Sequence, residues 1–575
     1  MRFDLGEHAP AVAALLDRWQ RESRLRRLFE RDPAIFSNAD EARWLGWLEL
    51  PSAPAEEAIG PDALRTAIAA HPADMAVVLG MGGSSLWPAV LGRTWNHRPD
   101  STGRRRVLHV LDTTVPDAVE SFLGNIALER ALFFVSSKSG STIEPNALFE
   151  LIHARLAARV GPEAAGRHFV AITDPGSDLA VRARKSGFLG TALGRPDVGG
   201  RFSALSPFGM LPALAMGLEP ERLLERARKM AAACAPTMAS EQNPGLRLGL
   251  ALGALAEAGR DKLTLSLSPA IASFGGWIEQ LIAESTGKSG KGLLPITGEG
   301  LSDPGRYAKD RIFVDVAVAG DATTAARHAR IEALARAGHP TIRMELADAF
   351  DLGGAVFQWE LATAVVGSVL GVNPFDQPDV EAAKQATREL MAASGRGGGR
   401  PETGADLESG GMRIFAGTSL AAAVRDAKGD PTQLLKSLAT SLRAGDAFLL
   451  NAYLAESPEI CAKLEGIRHG IGESRRVATV LSFGPRYLHS SGQLQKGGPN
   501  RLAGLQLWQS ASARKGPRLT IPEIGGDFDG LAEAQAVGDF RVLSERGRRM
   551  LGIDLGSDPL TSLDTLAHWI EGALA

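Results

Sequence analysis

Cysteine is scarce in this chain. Cys234 and Cys461 are the only two in 575 residues, and they form no C-x-x-C pair. Neither a disulfide framework nor a cysteine-based zinc site is expected, and a reducing compartment fits. Positive charge is not in excess either: 63 basic residues face 66 acidic ones, for a net charge of -3. Nucleic acid is therefore not an expected partner, and no run of like charge marks a tail. The N-terminus, MRFDLGEHAPAVAALLDRWQRES, lacks the basic start and apolar run of a secretory signal. No apolar stretch reads as reaching the roughly 18 to 20 residues that a membrane span needs. These absences disfavour a secreted disulfide scaffold, a nucleic-acid binder and a membrane protein, and leave a cytoplasmic protein as the expectation. What remains, 44% hydrophobic and 22% charged residues, suits a globular chain with several cores.

Short apolar strands alternate with helical stretches. Helices are expected over 10–30 and 54–71. Strands are expected at Met75–Leu79, Val107–Leu111, Ala131–Val135 and Phe169–Ile172, with helices near 117–129 and 143–158. The segment 207–258 reads as helical. The alternation resumes at Lys262–Leu267, Arg311–Val318 and Thr341–Leu346, the last followed by a long helix through Leu370. Such βαβ units imply parallel sheets covered on both faces. The stretch SGRGGGRPETGADLESGG (394–411) reads as a flexible linker. Beyond it, 412–575 has helices and strands of its own, VATVLSF (477–483) among them.

Two strands end in clusters of small donors. VVLGMGGSSL (77–86) places Gly83 and Ser84 after one strand. FFVSSKSGSTIEP (133–145) places Ser137, Lys138, Ser139, Ser141 and Thr142 after another. Free backbone N–H groups and hydroxyls at a helix start form an anion site, and Lys138 would add charge. The plainer alternative is a pair of ordinary turns, with Ser141 and Glu144 as a capping box. Two such loops at strand ends of one parallel sheet favour the anion site. Neither familiar nucleotide loop is present. Ser85 stands where the dinucleotide fingerprint needs glycine, and Ile282 where a P-loop ending in Gly287-Lys288-Ser289 needs one.

Taken in order, GMGGSSL, SSKSGST, GGRFS (199–203), the run Gln280 to Lys288 and GVNPFDQPDVEAAK (371–384) resemble the glucose-6-phosphate isomerase family. The resemblance covers about 75–390. It implies two tandem sugar-isomerase (SIS) domains, each an αβα sandwich on a parallel sheet. The expected division is then N-terminal helices and a first SIS domain over 1–215, a second over 216–393, the linker, and an α/β extension over 412–575 that packs on the SIS domains. GPRYLHSSGQLQKGG (484–498) resembles the isomerase half of fused transaldolase–isomerases. No transaldolase-sized segment precedes residue 50, so the isomerase part alone is expected.

The resemblance further implies an aldose–ketose isomerisation of a sugar phosphate, with neither metal nor redox cofactor. Glu284 would be the base, one helical turn after Gln280. A carboxylate in a partly dry pocket has its pKa raised, which suits that task. Arg201, freed by two preceding glycines, would stabilise the enediolate. Lys384 would act near the ring oxygen. Gln280 and Gln377 would position the phosphate and its waters. His339, placed between the Glu284 and Gln377 motifs in chain order, would open the ring from a neighbouring subunit, which implies a homodimer. By spacing alone each residue has a plainer reading: Glu284 and Lys384 as solvated helix residues, Gln280 facing solvent, Gln377 capping a turn, Arg201 bracing one. Ala283, Ser139 and Ser141 depart from residues common in the family. His489, Gln493 and Lys496 form a polar cluster with no role to carry over, read as an interface loop. A non-catalytic phosphosugar-binding protein and a dual phosphoglucose/phosphomannose isomerase remain the alternatives.

Overall fold

Parallel strands buried on both faces need apolar side chains throughout, and the expected runs meet that demand. The computed structural model describes residues 1–97, 106–395, 404–522 and 525–575. In chain order the strands are β1 (Arg2–Asp4), β2 (Met75–Gly80), β3 (Val107–Leu111), β4 (Ala131–Ser136), β5 (Phe169–Thr173) and β6 (Gly190–Leu193). There follow β7 (Lys262–Leu267), β8 (Leu294–Ile296), β9 (Arg311–Val318) and β10 (Thr341–Leu346). The last six are β11 (Leu407–Ser409), β12 (Met412–Ala416), β13 (Ala447–Tyr453), β14 (Ala478–Phe483), β15 (Leu502–Trp508) and β16 (Arg549–Asp554).

They build three sheets, ordered β3-β2-β4-β5-β6, β1-β10-β9-β7-β8 and β11-β12-β16-β15-β13-β14. The first is wholly parallel. The second is parallel except for β1, and the third except for β11 and β12. The parallel part of each starts at an inner strand, adds the next strand on one side and the following one on the other. Each therefore has a topological switch point, between β2 and β4, β7 and β9, and β13 and β15, where crevices open at the carboxyl ends of the strands.

The chain divides into two compact units. The first comprises Met1–Asp112, Ile126–Pro304 and Arg311–Asp376, and holds the first two sheets. The second comprises Thr113–Asn125, Gly305–Asp310 and Gln377–Ala575, and holds the third. This differs from the division expected from sequence at 393, because the helix Val380–Gly395 packs along Phe528–Glu545. Of the expected linker, 396–403 lies outside the described residues, while Leu407–Ser409 pairs with Met412–Ile414 as part of the third sheet. The helix expected near 117–129 is shorter, Pro116–Gly124, followed by a 3-10 turn at Leu128–Arg130.

The first unit has one continuous hydrophobic core, from Leu5 to Phe375. At its centre lies the helix Leu352–Leu370, buried along its whole length. Together with the turn before it, Ala349–Leu370 is apolar and long enough to cross a membrane, which corrects the sequence expectation; here it is a core helix. Gly245, Gly249 and Gly253 form a stripe at every fourth position of the helix Pro244–Glu257. A Cβ at each would stand 2.8, 2.5 and 2.9 Å from Leu361, Val365 and Val369, so the stripe lets the two helices close together.

Glu360 sits inside that helix with 0% exposure, and neither carboxyl oxygen has a hydrogen-bond partner among the described residues. Burial raises its pKa well above the ordinary 4.5. The native carboxyl thus keeps a proton that the unfolded chain loses, so stability falls as pH rises above that value. Glu360→Met is expected to raise unfolding free energy at pH 7 by about 1–3 kcal/mol. Urea melts across pH 5 to 8 should also show a flatter profile than wild type; a variant with the wild-type slope would count against a neutral Glu360.

Candidate active site

A helix that follows a strand returns along the sheet, and its last turn reaches the strand's starting edge. Glu284 lies in the last turn of the helix Phe274–Thr286, after β7. Gln280 is one turn earlier on the same face, and its Nε2 donates to Glu284 Oε2 at 3.2 Å. Both are buried, which corrects the solvent-facing alternatives.

Arg201 lies in the 3-10 turn Gly200–Phe202 and is 3% exposed. Its Nε donates to Ser285 Oγ at 2.7 Å. One terminal nitrogen donates to the carbonyls of Pro374 at 2.6 Å and Asp376 at 2.9 Å. The other stands 3.6 Å from Glu284 Oε1. Burial lowers the guanidinium's pKa, opposed by the charges of Glu284 and Asp376.

Lys288, which ends the run that carries the resemblance but was given no role, belongs to this cluster. Its buried ammonium donates to the carbonyl of Asn373, and to the carbonyl and carboxylate of Asp376 at 2.5 and 2.6 Å. It thereby clamps the NPFD stretch whose carbonyls hold Arg201. Burial, then repulsion from Arg201, pushes its pKa down to about 8. Ser285, Pro374 and Asp376 were likewise not singled out. Only their proximity in the fold reveals them, since they stand 84, 173 and 175 positions from Arg201.

The two donor loops meet at the first switch point, where Gly80 and Ser136 are the last register pair of β2 and β4. Gly82–Ser84 forms a 3-10 turn after β2. A Cβ on Gly83 would overlap the carbonyl oxygen of Gly200, so glycine here admits the turn that carries Arg201. Ser84 is buried beside it. After β4, Ser137 Oγ donates to Thr142 Oγ1 at 2.9 Å and accepts from Gly140 N at 3.2 Å. Ser139 and Ser141 share a hydrogen bond at 3.0 Å. Asn146 holds the carbonyls of Gly140 and Thr142. The capping box does not form: Thr142 is the N-cap of Ile143–Val160, and it makes no side-chain cap bond. That helix start, Pro145 excepted, offers backbone N–H groups to an incoming anion, with the acidic Glu144 in its first turn.

Lys138 differs from expectation. Its ammonium pairs with Asp174 of the loop after β5 and donates to the Arg195 carbonyl at 3.2 Å, so its charge is already matched. Burial raises the Asp174 carboxyl against the opposing pull of Lys138.

The second switch point is filled. Arg327 binds Asp315 at 2.9 Å and Asp321 at 2.8 Å, and Ser266 and Ser268 donate to the same two carboxylates.

His339 precedes β10 and packs edge-on against Phe313 of β9, with centroids 5.4 Å apart. Gln377 and Lys384 belong to the second unit. Both are exposed, and Lys384 pairs with Glu381 at 3.4 Å. The tail cluster, read as an interface loop, lies in the turn Arg486–His489 and the helix Gly492–Gly497 of the second unit. Gln493 is buried and donates to Asp379 at 2.7 Å. Lys496, also buried, stands 2.5 Å from Asp539, which accepts from Tyr487 at 2.6 Å. His489 is half-buried beside them in the turn Arg486–His489.

A sequence profile described as phosphoglucose isomerase matches residues 68–293. A glucose-6-phosphate isomerase of Rubrobacter xylanophilus is 33% identical over 364 residues, covering 56% of this chain and 83% of that protein. One from Symbiobacterium thermophilum is 29% identical over 401 residues, covering 62% and 88%. Among solved structures, a hypothetical protein of Thermus thermophilus aligns with a TM-score of 0.58 and 27% identity, over 68% of this chain and 99% of that one. A glucose-6-phosphate isomerase of Chlamydia trachomatis shares the fold, with a TM-score of 0.50 and 22% identity over 62% and 75%.

Gly83→Ala is expected to displace the turn bearing Arg201 and to lower turnover of a sugar phosphate about a hundredfold. Steady-state kinetics beside a melting curve would test this, and wild-type turnover would refute the close-approach argument. Lys288 makes a second expectation. Between about 8 and its ordinary 10.5 the unfolded chain binds a proton that the native lysine lacks. Its contribution to stability therefore rises with pH in that window. Denaturation of wild type and Lys288→Met across pH 8 to 10.5 should show a more positive slope in the wild type.

Proposed function

The chain belongs to the phosphoglucose isomerase family, and we propose that the buried pair Glu284 and Arg201 is its proton-transfer centre. The reaction is the reversible aldose–ketose interconversion of glucose 6-phosphate and fructose 6-phosphate, with a proton moved between C2 and C1 through a cis-enediolate. The observation that carries the assignment is the separation of 3.6 Å between the guanidinium and Glu284 Oε1 in a buried setting.

Gln280 holds Oε2 and Arg201 faces Oε1, so both carboxylate oxygens are oriented before substrate arrives. When Glu284 takes the proton, the negative charge passes from carboxylate to enediolate. A buried guanidinium beside both positions stabilises the charge at either end of that transfer, with little screening by solvent. The bonds to Ser285, Pro374 and Asp376 keep that guanidinium from reorganising during the step.

The phosphate goes to the first crevice. Supporting this are the uncapped start of Ile143–Val160, the hydroxyls of Ser137, Ser139 and Thr142, and the turn at Gly83 and Ser84. Lys138 serves there by fixing the loop to Asp174. The roles of Lys384 at the ring oxygen, of Gln377 at the phosphate, and of His339 supplied by a second copy of the chain rest on the resemblance of their motifs and on chain order.

Glu284→Gln keeps the shape and the bond to Gln280 but removes the base. Turnover of fructose 6-phosphate, followed by a coupled glucose-6-phosphate dehydrogenase, is expected to fall by about 10²–10⁴-fold. Substrate should still raise the melting temperature. A variant that isomerises within tenfold of wild type would overturn Glu284 as the base.

A further inference from the structure

The third sheet repeats the topology of the first, and its switch point is neither filled like the second nor lined with donors like the first. Tyr453 and Trp508 are the last register pair of β13 and β15. Beyond them opens a cleft of about 50 Å³, lined among others by Pro116, Asp117, Tyr453, Trp508, Arg514 and Asp529. All of these lie in the second unit.

The electrostatics are opposite to those of a phosphate site. Among the described residues Arg514 is the one cation lining the cleft, and it is already engaged. Its Nε binds Asp117 at 2.8 Å, and its terminal nitrogens bind Glu120 at 2.6 Å and the Pro517 carbonyl at 2.8 Å. It stands 3.4 Å from Asp529 Oδ1. Three carboxylates thus share one guanidinium, and the neighbouring Arg518 is paired with Asp527 at 3.2 Å.

Asp529 supplies the independent sign of a ligand. It is 3% exposed and lines the cleft, yet its Oδ2 has no hydrogen-bond partner among the described residues. Its helix is already capped by Asp527, whose carboxylate accepts from Gly530 N, so Asp529 is not needed as the cap. A buried acceptor without a donor is unfavourable and is met by a bound group that brings an N–H or O–H. Burial also raises the Asp529 carboxyl, against the opposing pull of Arg514 and Arg518.

We propose that this cleft binds a small organic ammonium ion, whose N–H groups meet Asp529 Oδ2 against the rings of Trp508 and Tyr453. Net negative charge selects a cation over a phosphate or carboxylate. Aromatic walls favour an organic ammonium over a strongly hydrated metal ion. The volume admits a head group of a few heavy atoms and excludes a sugar phosphate. This is a separate site from the isomerase centre, built by the C-terminal extension together with residues 113–125.

The test uses the full chain and methylammonium chloride as the probe, with sodium chloride at matched ionic strength and glycerol as controls. Calorimetry and Trp fluorescence should show saturable binding of methylammonium alone. Asp529→Asn, close in shape, is expected to weaken it more than tenfold while leaving fructose 6-phosphate turnover at the wild-type level. Ala532→Leu, which fills the cleft while leaving the Asp529 carboxylate in the sequence, should also abolish binding, and serves if Asp529→Asn fails to fold. Absence of saturable binding, equal binding of glycerol, or an Asp529→Asn affinity within threefold of wild type would overturn the proposal.

Discussion

A guanidinium held out of water must have its donors met, and the first unit is arranged around meeting those of Arg201. Its partners come from the end of one helix, Ser285, and from carbonyls beyond another, Pro374 and Asp376. Glu284 faces the same group. Leaving such donors unpaired would cost several times the net gain of an ordinary hydrogen bond. The demand therefore fixes the relative positions of several chain segments. Gly83 belongs to the same constraint: only a residue without Cβ lets the turn of Gly200 and Arg201 come so near. Lys288 completes it by tying down the NPFD stretch whose carbonyls Arg201 uses.

Three sheets of like topology present three switch points with different contents. The first has hydroxyls and an uncapped helix start, the second an arginine neutralised by two aspartates, and the third an acidic cleft where one carboxylate oxygen lacks a donor among the described residues. Topology sets where a crevice opens; the side chains at the strand ends decide whether it stays open and for which sign of charge. An arginine bridging Asp315 and Asp321 removes one crevice from use without altering the sheet.

Much of the first unit was legible in the sequence because its inner parallel strands are continuous apolar runs. The strands there that escaped notice, β1, β6 and β8, are edges of three or four residues. Edge strands carry polar residues or proline, as in Arg-Phe-Asp and Leu-Pro-Ile, and lose the apolar signature. Within the site, spacing put Gln280 and Glu284 on one helix face, but alone it favoured a solvated face; the resemblance, not the spacing, singled them out, and their burial is visible only in the fold. Lys138 was misread because its partner, Asp174, lies on the next strand's loop, and nothing local to SSKSGST reveals it. Lys288 and Asp376 escaped for the same reason, since their bond spans 88 positions. The burial of Gln493 and Lys496 was hidden because a polar run reads alike whether it faces water or a polar core.

The second unit is assembled from three separated stretches, the first of them Thr113–Asn125. During synthesis that stretch leaves the ribosome when its partners, Arg514 and the helix Phe528–Glu545, are still hundreds of residues from being made. The helix Pro116–Gly124 must wait, undocked, while β4 and everything after it are laid down. The first sheet is therefore completed across a connection whose own resting place does not yet exist. This ordering leaves the connection between β3 and β4 without its docking partners for longer than the other crossovers of that sheet.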